Sequence, residues 1–192
     1  MADKKVILVV CGEADVNGGS ALKKFMKKTC TFAGYDNAGV VAEASKIEGA
    51  ATVAADGVAK VFEEDGAFAI VELGNVDGDA LETAMAQITD ASDRRTLIVL
   101  ATDGGLFIGG LGIDKKSGTI ERSVTAADIV ATVCYVADLS VPADCVGGVL
   151  YQALKDPDMK LKEIGKLKEA IGRMEVALQR DNREPWDKHD CA

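Results

Sequence analysis

Thr96-Leu97-Ile98-Val99-Leu100 leads through Ala101 into Thr102-Asp103-Gly104-Gly105. A short, unbroken apolar and β-branched run that ends in a glycine-rich polar turn is the pattern of a strand buried on both faces of a parallel sheet. Two further runs read the same way: Val6 to Val10, and Ala67 to Leu73. The stretches between them read as helices. Ser20 is placed to cap one running to about Phe32, with Leu22, Phe25 and Met26 facing inward. Ala51 to Glu64 reads as a second, with Val53, Val58, Val61 and Phe62 as its apolar set, and Asp79 to Thr89 as a third. Gly39 to Ala44 reads equally as a short strand or a helix. Leu106 to Gly112 is a strand-like return, and Asp114-Lys115-Lys116-Ser117-Gly118 is a turn. Thr125 is placed to cap a helix to about Ala137, and Val141-Pro142 interrupts regular structure beyond it. Strands alternating with helices predict an α/β fold: a mostly parallel sheet with helices on both faces.

Bulk properties agree. A chain of 192 residues, 48% hydrophobic with 20 Gly against 3 Pro, suits one main domain with a sizeable core. A net charge of −9 argues against a sequence-independent nucleic-acid binder and against an anionic membrane surface. Five cysteines, at 11, 30, 134, 145 and 191, show no Cys-x-x-Cys spacing and are odd in number, so reduced thiols are expected. The opening Met1-Ala2-Asp3-Lys4-Lys5 runs into a strand too short for a signal sequence, and no apolar run approaches a membrane span. A cytoplasmic location is the expectation.

The segment after about residue 155 differs in kind. From Met159 to Arg180 it is charged and free of proline, and Ile164, Leu167, Ile171, Met174 and Leu178 recur at steps of three and four. This predicts an amphipathic C-terminal helix, packed on its own domain or serving as a dimer helix. The expected division is residues 1–155, a helix over 156–183 and a flexible tail over 184–192, where His189 and Cys191 stand as remote metal-ligand candidates.

Ala69-Ile70-Val71-Glu72, Asn75-Val76-Asp77, Thr102-Asp103-Gly104-Gly105, Asp128-Ile129-Val130-Ala131-Thr132 and Val141-Pro142-Ala143-Asp144-Cys145-Val146-Gly147 stand in that order. Over about Phe68 to Leu154 this resembles the C-terminal half of the alkaline phosphatase superfamily, and within it a cofactor-independent phosphoglycerate mutase. The resemblance implies an alkaline phosphatase-like fold with metal-binding residues at the strand ends. Asp77 matches the Asp of Asp-x-x-x-His, with Leu81 at the histidine position, and Asp103 matches the Asp of Asp-His-Gly, with Gly104 at the histidine position. A third histidine has no counterpart between Gly105 and Gly112, and Cys11 stands near the place of a carboxylate after the first strand. Ser20, Thr29 and Thr31 are nucleophile candidates by type alone.

Two catalytic divalent ions need fixed nitrogen and oxygen ligands, and the sole histidine is at 189. The resemblance therefore implies a degenerate, non-catalytic member, a pseudoenzyme with a binding or subunit role. No cofactor is expected, and the partner is another protein or a second copy engaged through the C-terminal helix. The alternatives are a small metal-dependent phosphoesterase or phosphomutase using Asp77 and Asp103 with Mn²⁺, Zn²⁺ or Mg²⁺, and an unrelated doubly wound binding domain. Asn75-Val76-Asp77-Gly78-Asp79 has the oxygen alternation of a calcium loop's start without its distal Glu, and Gly104-Gly105 and Gly109-Gly110 read as turns.

Overall fold

The computed structural model describes residues 4–16, 18–36 and 38–181. Residues Met1–Lys155 form one compact unit and Asp156–Ala192 a second. The first unit is built on a sheet of seven strands among the described residues: β1 (Lys5–Cys11), β2 (Thr29–Tyr35), β3 (Ala50–Thr52), β4 (Phe68–Gly74), β5 (Thr96–Thr102), β6 (Gly105–Gly110) and β7 (Thr119–Val124). Their order across the sheet is β3-β4-β1-β5-β6-β2-β7. All neighbours are parallel except that β6 runs antiparallel to both β5 and β2.

β1, β4 and β5 are the three apolar runs read from the sequence. β1 lies between the other two, with Leu8 opposite Ile70 on one edge and Val99 on the other. Alternate residues face opposite layers. Val6, Leu8 and Val10 join the core under α2 (Val40–Ala44) and α5 (Ala126–Ala137). Ile7, Val9 and Cys11 join the core under α1 (Ser20–Met26), α3 (Val58–Glu63) and α4 (Gly78–Ala91). The mostly parallel sheet with helices on both faces is therefore present.

Three elements differ from the sequence reading. The first helix ends at Met26, not near Phe32; the Thr29 hydroxyl donates to the Met26 carbonyl at 3.0 Å, and Thr29-Cys30-Thr31-Phe32 continues as β2. β-branched and aromatic residues suit a strand, and Phe32 is fully buried opposite Leu106. Ala51 to Glu64 is not one helix. Ala50–Thr52 is the edge strand β3, paired with β4, a 3₁₀ turn comes next, and α3 begins only at Val58. The open edge of β4 overrides the helical preference of alanine there. The sequence reading misses β7, although Thr119 to Val124 alternates outward and inward as an edge strand does. Gly39 to Ala44, legible as either strand or helix, forms α2.

Two carboxylates brace helices to the rest of the unit. Glu82 on α4 accepts from the N–H groups of Ala21 at 2.7 Å and Leu22 at 2.9 Å, so it caps α1 in place of the expected Ser20. Asp128 forms a capping box with Thr125 and also accepts from the Gly148 N–H at 2.7 Å. Thr132, one turn on, donates to the Asp128 carbonyl and accepts from the Leu150 N–H at 2.9 Å. Gly147 lies against the backbone of α5; a Cβ there would stand 2.0 Å from the Ala127 carbonyl oxygen. The Asp-Ile-x-x-Thr pattern and the later glycine turn thus form a clamp that returns the chain over α5.

The second unit holds α6 (Met159–Asp181), 23 residues long. Asp156 just before it accepts two hydrogen bonds from Lys162, at 2.8 and 2.7 Å. The tail, with His189 and Cys191, lies outside the described residues.

Thr132→Val keeps shape and leaves the buried Leu150 N–H without its acceptor, so urea unfolding should show a loss of about 1–3 kcal/mol. Hydrogen bonds from the Leu22 and Ala21 N–H groups hold the Glu82 carboxyl below its ordinary value. Their contribution is present above the unfolded carboxyl pKa and is lost as pH falls through the folded one. Glu82→Gln should therefore lower Tm at neutral pH, with the gap to the parent chain closing on acidification.

Candidate functional site

Parallel strands deliver their carboxyl ends to one edge of the sheet, where ligands bind in open α/β folds. Here β1, β4 and β5 end together. The Gly12 N–H donates to the Gly74 carbonyl at 2.8 Å, and the Asp103 N–H donates to the Gly12 carbonyl at 3.3 Å, tying the three strand ends to one another. Above Gly12 the Asn75 amide and the Asp103 carboxylate converge. A Cβ on residue 12 would stand 1.9 Å from Asn75 Oδ1 and 3.4 Å from Asp103 Oδ2, so only glycine leaves room for this approach.

An open cleft of about 530 Å³ lies beside this point, lined by Cys11, Gly12, Gly39, Glu72, Gly74 and Asn75 among others. Cys11 forms its buried wall. Burial, with the nearby negative charge of Asp103 adding to it, pushes the Cys11 thiol up to about 11. The thiol is neutral at physiological pH, unlike a catalytic cysteine. Tyr35, at the end of β2, has its phenol raised by burial and by the charges of Asp36 and Asp103. Asp103 therefore sits within electrostatic reach of both groups.

Asp103 and Cys11 are thus brought together, as their strand-end positions predict. Asp77 has a different task. Its side chain accepts from the Ala80 N–H at 2.8 Å and caps α4. Leu81, at the histidine position of the resemblance, is fully buried in the core under α4. Gly104 offers no side chain beside Asp103. Among the described residues no group of three or more His, Cys, Asp or Glu side chains is arranged to hold a metal ion. A helix-capping carboxylate, a strand-end carboxylate and a neutral thiol do not fit the two-metal centre that the resemblance implies. Of the nucleophile candidates, Ser20 begins α1, while Thr29 and Thr31 lie in β2 with Thr29 bonded to the end of α1.

Sequence reading marks Asn75 only within a calcium-loop-like run, and it misses Gly12 and Tyr35 as members of this site. Gly12 directly after a buried strand is the available signal. Nothing local marks Tyr35, and the local run around Asn75 does not show that it stands over Gly12 at the end of another strand.

The described residues define an α/β unit with a strand-end cleft lined by Glu72 and a neutral Cys11 thiol, with the Asp103 carboxylate beside Gly12. The chain matches no protein-family model, and no curated protein or solved structure gives a significant match. No described helix is long and apolar enough to cross a membrane.

Asp103→Asn removes one of the two causes that raise the Cys11 pKa, and burial remains. Iodoacetamide labelling of Cys11 in the native chain, followed by peptide mass spectrometry, should be about 100-fold slower than in the denatured chain. It should accelerate in the Asn variant.

Proposed function

We propose that this chain is a degenerate alkaline phosphatase-like protein without catalytic activity, whose role is that of a subunit held to a second copy through α6. The observation that carries the subunit role is the apolar face of α6. Considered by itself, that helix leaves Ile164, Leu167, Ile171, Met174 and Leu178 exposed along one stripe. Two glycines, Gly165 and Gly172, lie inside the helix, each costing about 1 kcal/mol relative to alanine. Such a helix gains its stability from burying its stripe.

The chemistry of the stripe favours a second copy. Isoleucine at the a positions, Ile164 and Ile171, with Leu167 at d, is the arrangement that favours two-stranded parallel coils. In that register Glu163 at g faces Lys168 at e of the other chain, twice by symmetry. The non-catalytic half of the proposal is supported by Asp77, whose carboxylate is engaged in capping α4, and by the lack of a side chain at Gly104.

Sedimentation equilibrium should give a concentration-dependent dimer, and Leu167→Asp with Met174→Asp should make it a monomer with unchanged far-ultraviolet signal from the first unit. A parent chain that stays monomeric at high concentration overturns the subunit role. Calorimetric titration with Mn²⁺ and Zn²⁺ should give no stoichiometric binding. Binding abolished by Asp103→Asn would overturn the non-catalytic reading and favour a metal-dependent phosphoesterase.

A further inference from the structure

The amino-terminal edge of the sheet, opposite the strand ends at Cys11 and Asp103, carries a second cleft. It has a volume of about 400 Å³ and is framed by the last turn of α1, the end of α4 and the first residues of β5. Its floor is apolar: Phe25 and Ile98 are 8% and 7% exposed. Its lining includes three cations, Lys24, Lys28 and Arg94, all exposed. None of the three has an ion-pair or hydrogen-bonding side-chain partner among the described residues. Ser92 adds a hydroxyl.

This concentration of positive charge is unexpected on a chain of net charge −9. One structural account is that basic residues offset helix dipoles, since α1 and α4 both end here. Each helix end carries roughly half a negative charge, which three full positive charges exceed. The one carboxylate in the lining, Asp93, is already engaged. It accepts from Lys5 Nζ at 3.2 Å, from the Arg95 N–H at 2.7 Å and from the Thr96 hydroxyl at 3.0 Å. A positive potential therefore remains inside a concave surface with an apolar floor. A hollow with an apolar floor and polar, mostly cationic walls is suited to a small amphipathic anion. Low-dielectric walls strengthen the field within it.

We propose that this cleft binds a small organic anion, its phosphate or carboxylate held by Lys24, Lys28 and Arg94 and its apolar body resting on Phe25 and Ile98. The site is independent of the strand-end cleft and of the resemblance to phosphatases. Arg94 supplies a planar fork for two oxygens, and the lysines supply point charges. The apolar floor separates this site from one for a bare ion: an aromatic or aliphatic phosphate gains burial that inorganic phosphate does not.

The experiment is a ¹⁵N–¹H NMR titration of the full chain with phenyl phosphate, benzoate and inorganic phosphate. Saturable shifts in the millimolar range or below are expected around residues 24–29 and 89–98, with phenyl phosphate or benzoate binding more tightly than inorganic phosphate. Preference between the two aromatic anions assigns the head group. Lys24→Gln, Lys28→Gln and Arg94→Gln together should weaken binding by about tenfold or more. Lys115→Gln with Lys116→Gln, in a turn outside this cleft, should change nothing. If the triple variant loses its native spectrum, Arg94→Glu alone serves, and it should weaken binding in the same direction. The proposal is overturned if no saturable shifts arise, if they map to other residues, or if the charge variants bind as the parent does.

Discussion

β1 must meet two demands at once. Its backbone groups need hydrogen-bond partners along both edges, and its side chains need apolar cover on both faces. β4 and β5 supply the edges, and the two helical layers supply the cover. Val6 to Val9 are wholly buried as a result. Everything else about the first unit depends on this arrangement. Fixing three parallel strands in register brings Gly12, Asn75 and Asp103 to one place, and the same register sets Thr96 and the chain before it at the opposite edge.

The acidity of the chain has a structural use. Its carboxylates repeatedly accept backbone N–H groups at helix starts and turns: Glu82 at α1, Asp77 at α4, Asp128 at α5, and Asp93 at the turn into β5. Ionised acceptors at these positions meet unsatisfied donors and the positive end of the helix dipole. Surface ion pairs such as Lys46 with Asp144, by contrast, add little. A carboxylate that stabilises a helix end is not available to ligate or to transfer a proton without cost to the fold. This physical conflict applies to Asp77, whose carboxylate caps α4.

The two edges of the sheet therefore differ in electrostatic character. At the carboxyl edge, burial raises the pKa of the Cys11 thiol and the Tyr35 phenol, and the charge of Asp103 adds to it. At the amino edge, helix carbonyl ends and lysines meet, and the cations outnumber what the helix ends require. A sheet that is apolar through its middle keeps these regions about 20 Å apart, the length of a seven-residue strand.

The sequence by itself determined β1, β4 and β5, the α5 cap at Thr125 and the long amphipathic α6, because each rests on a local pattern: an unbroken apolar run, a threonine before a helical run, a heptad-like stripe. It also placed Cys11 and Asp103 at strand ends. Tertiary structure decided that Ala50 to Thr52 became a strand, because the open edge of β4 outweighs weak local preference, and it placed Thr29 to Tyr35 between β6 and β7. It alone decided that Glu82 rather than Ser20 caps α1, that Asn75 stands over Gly12, and that Lys24, Lys28 and Arg94 line one cleft. In each case at least one partner lies dozens of residues from the others in the chain. Their meeting results from strand order and register, which no local run of residues encodes.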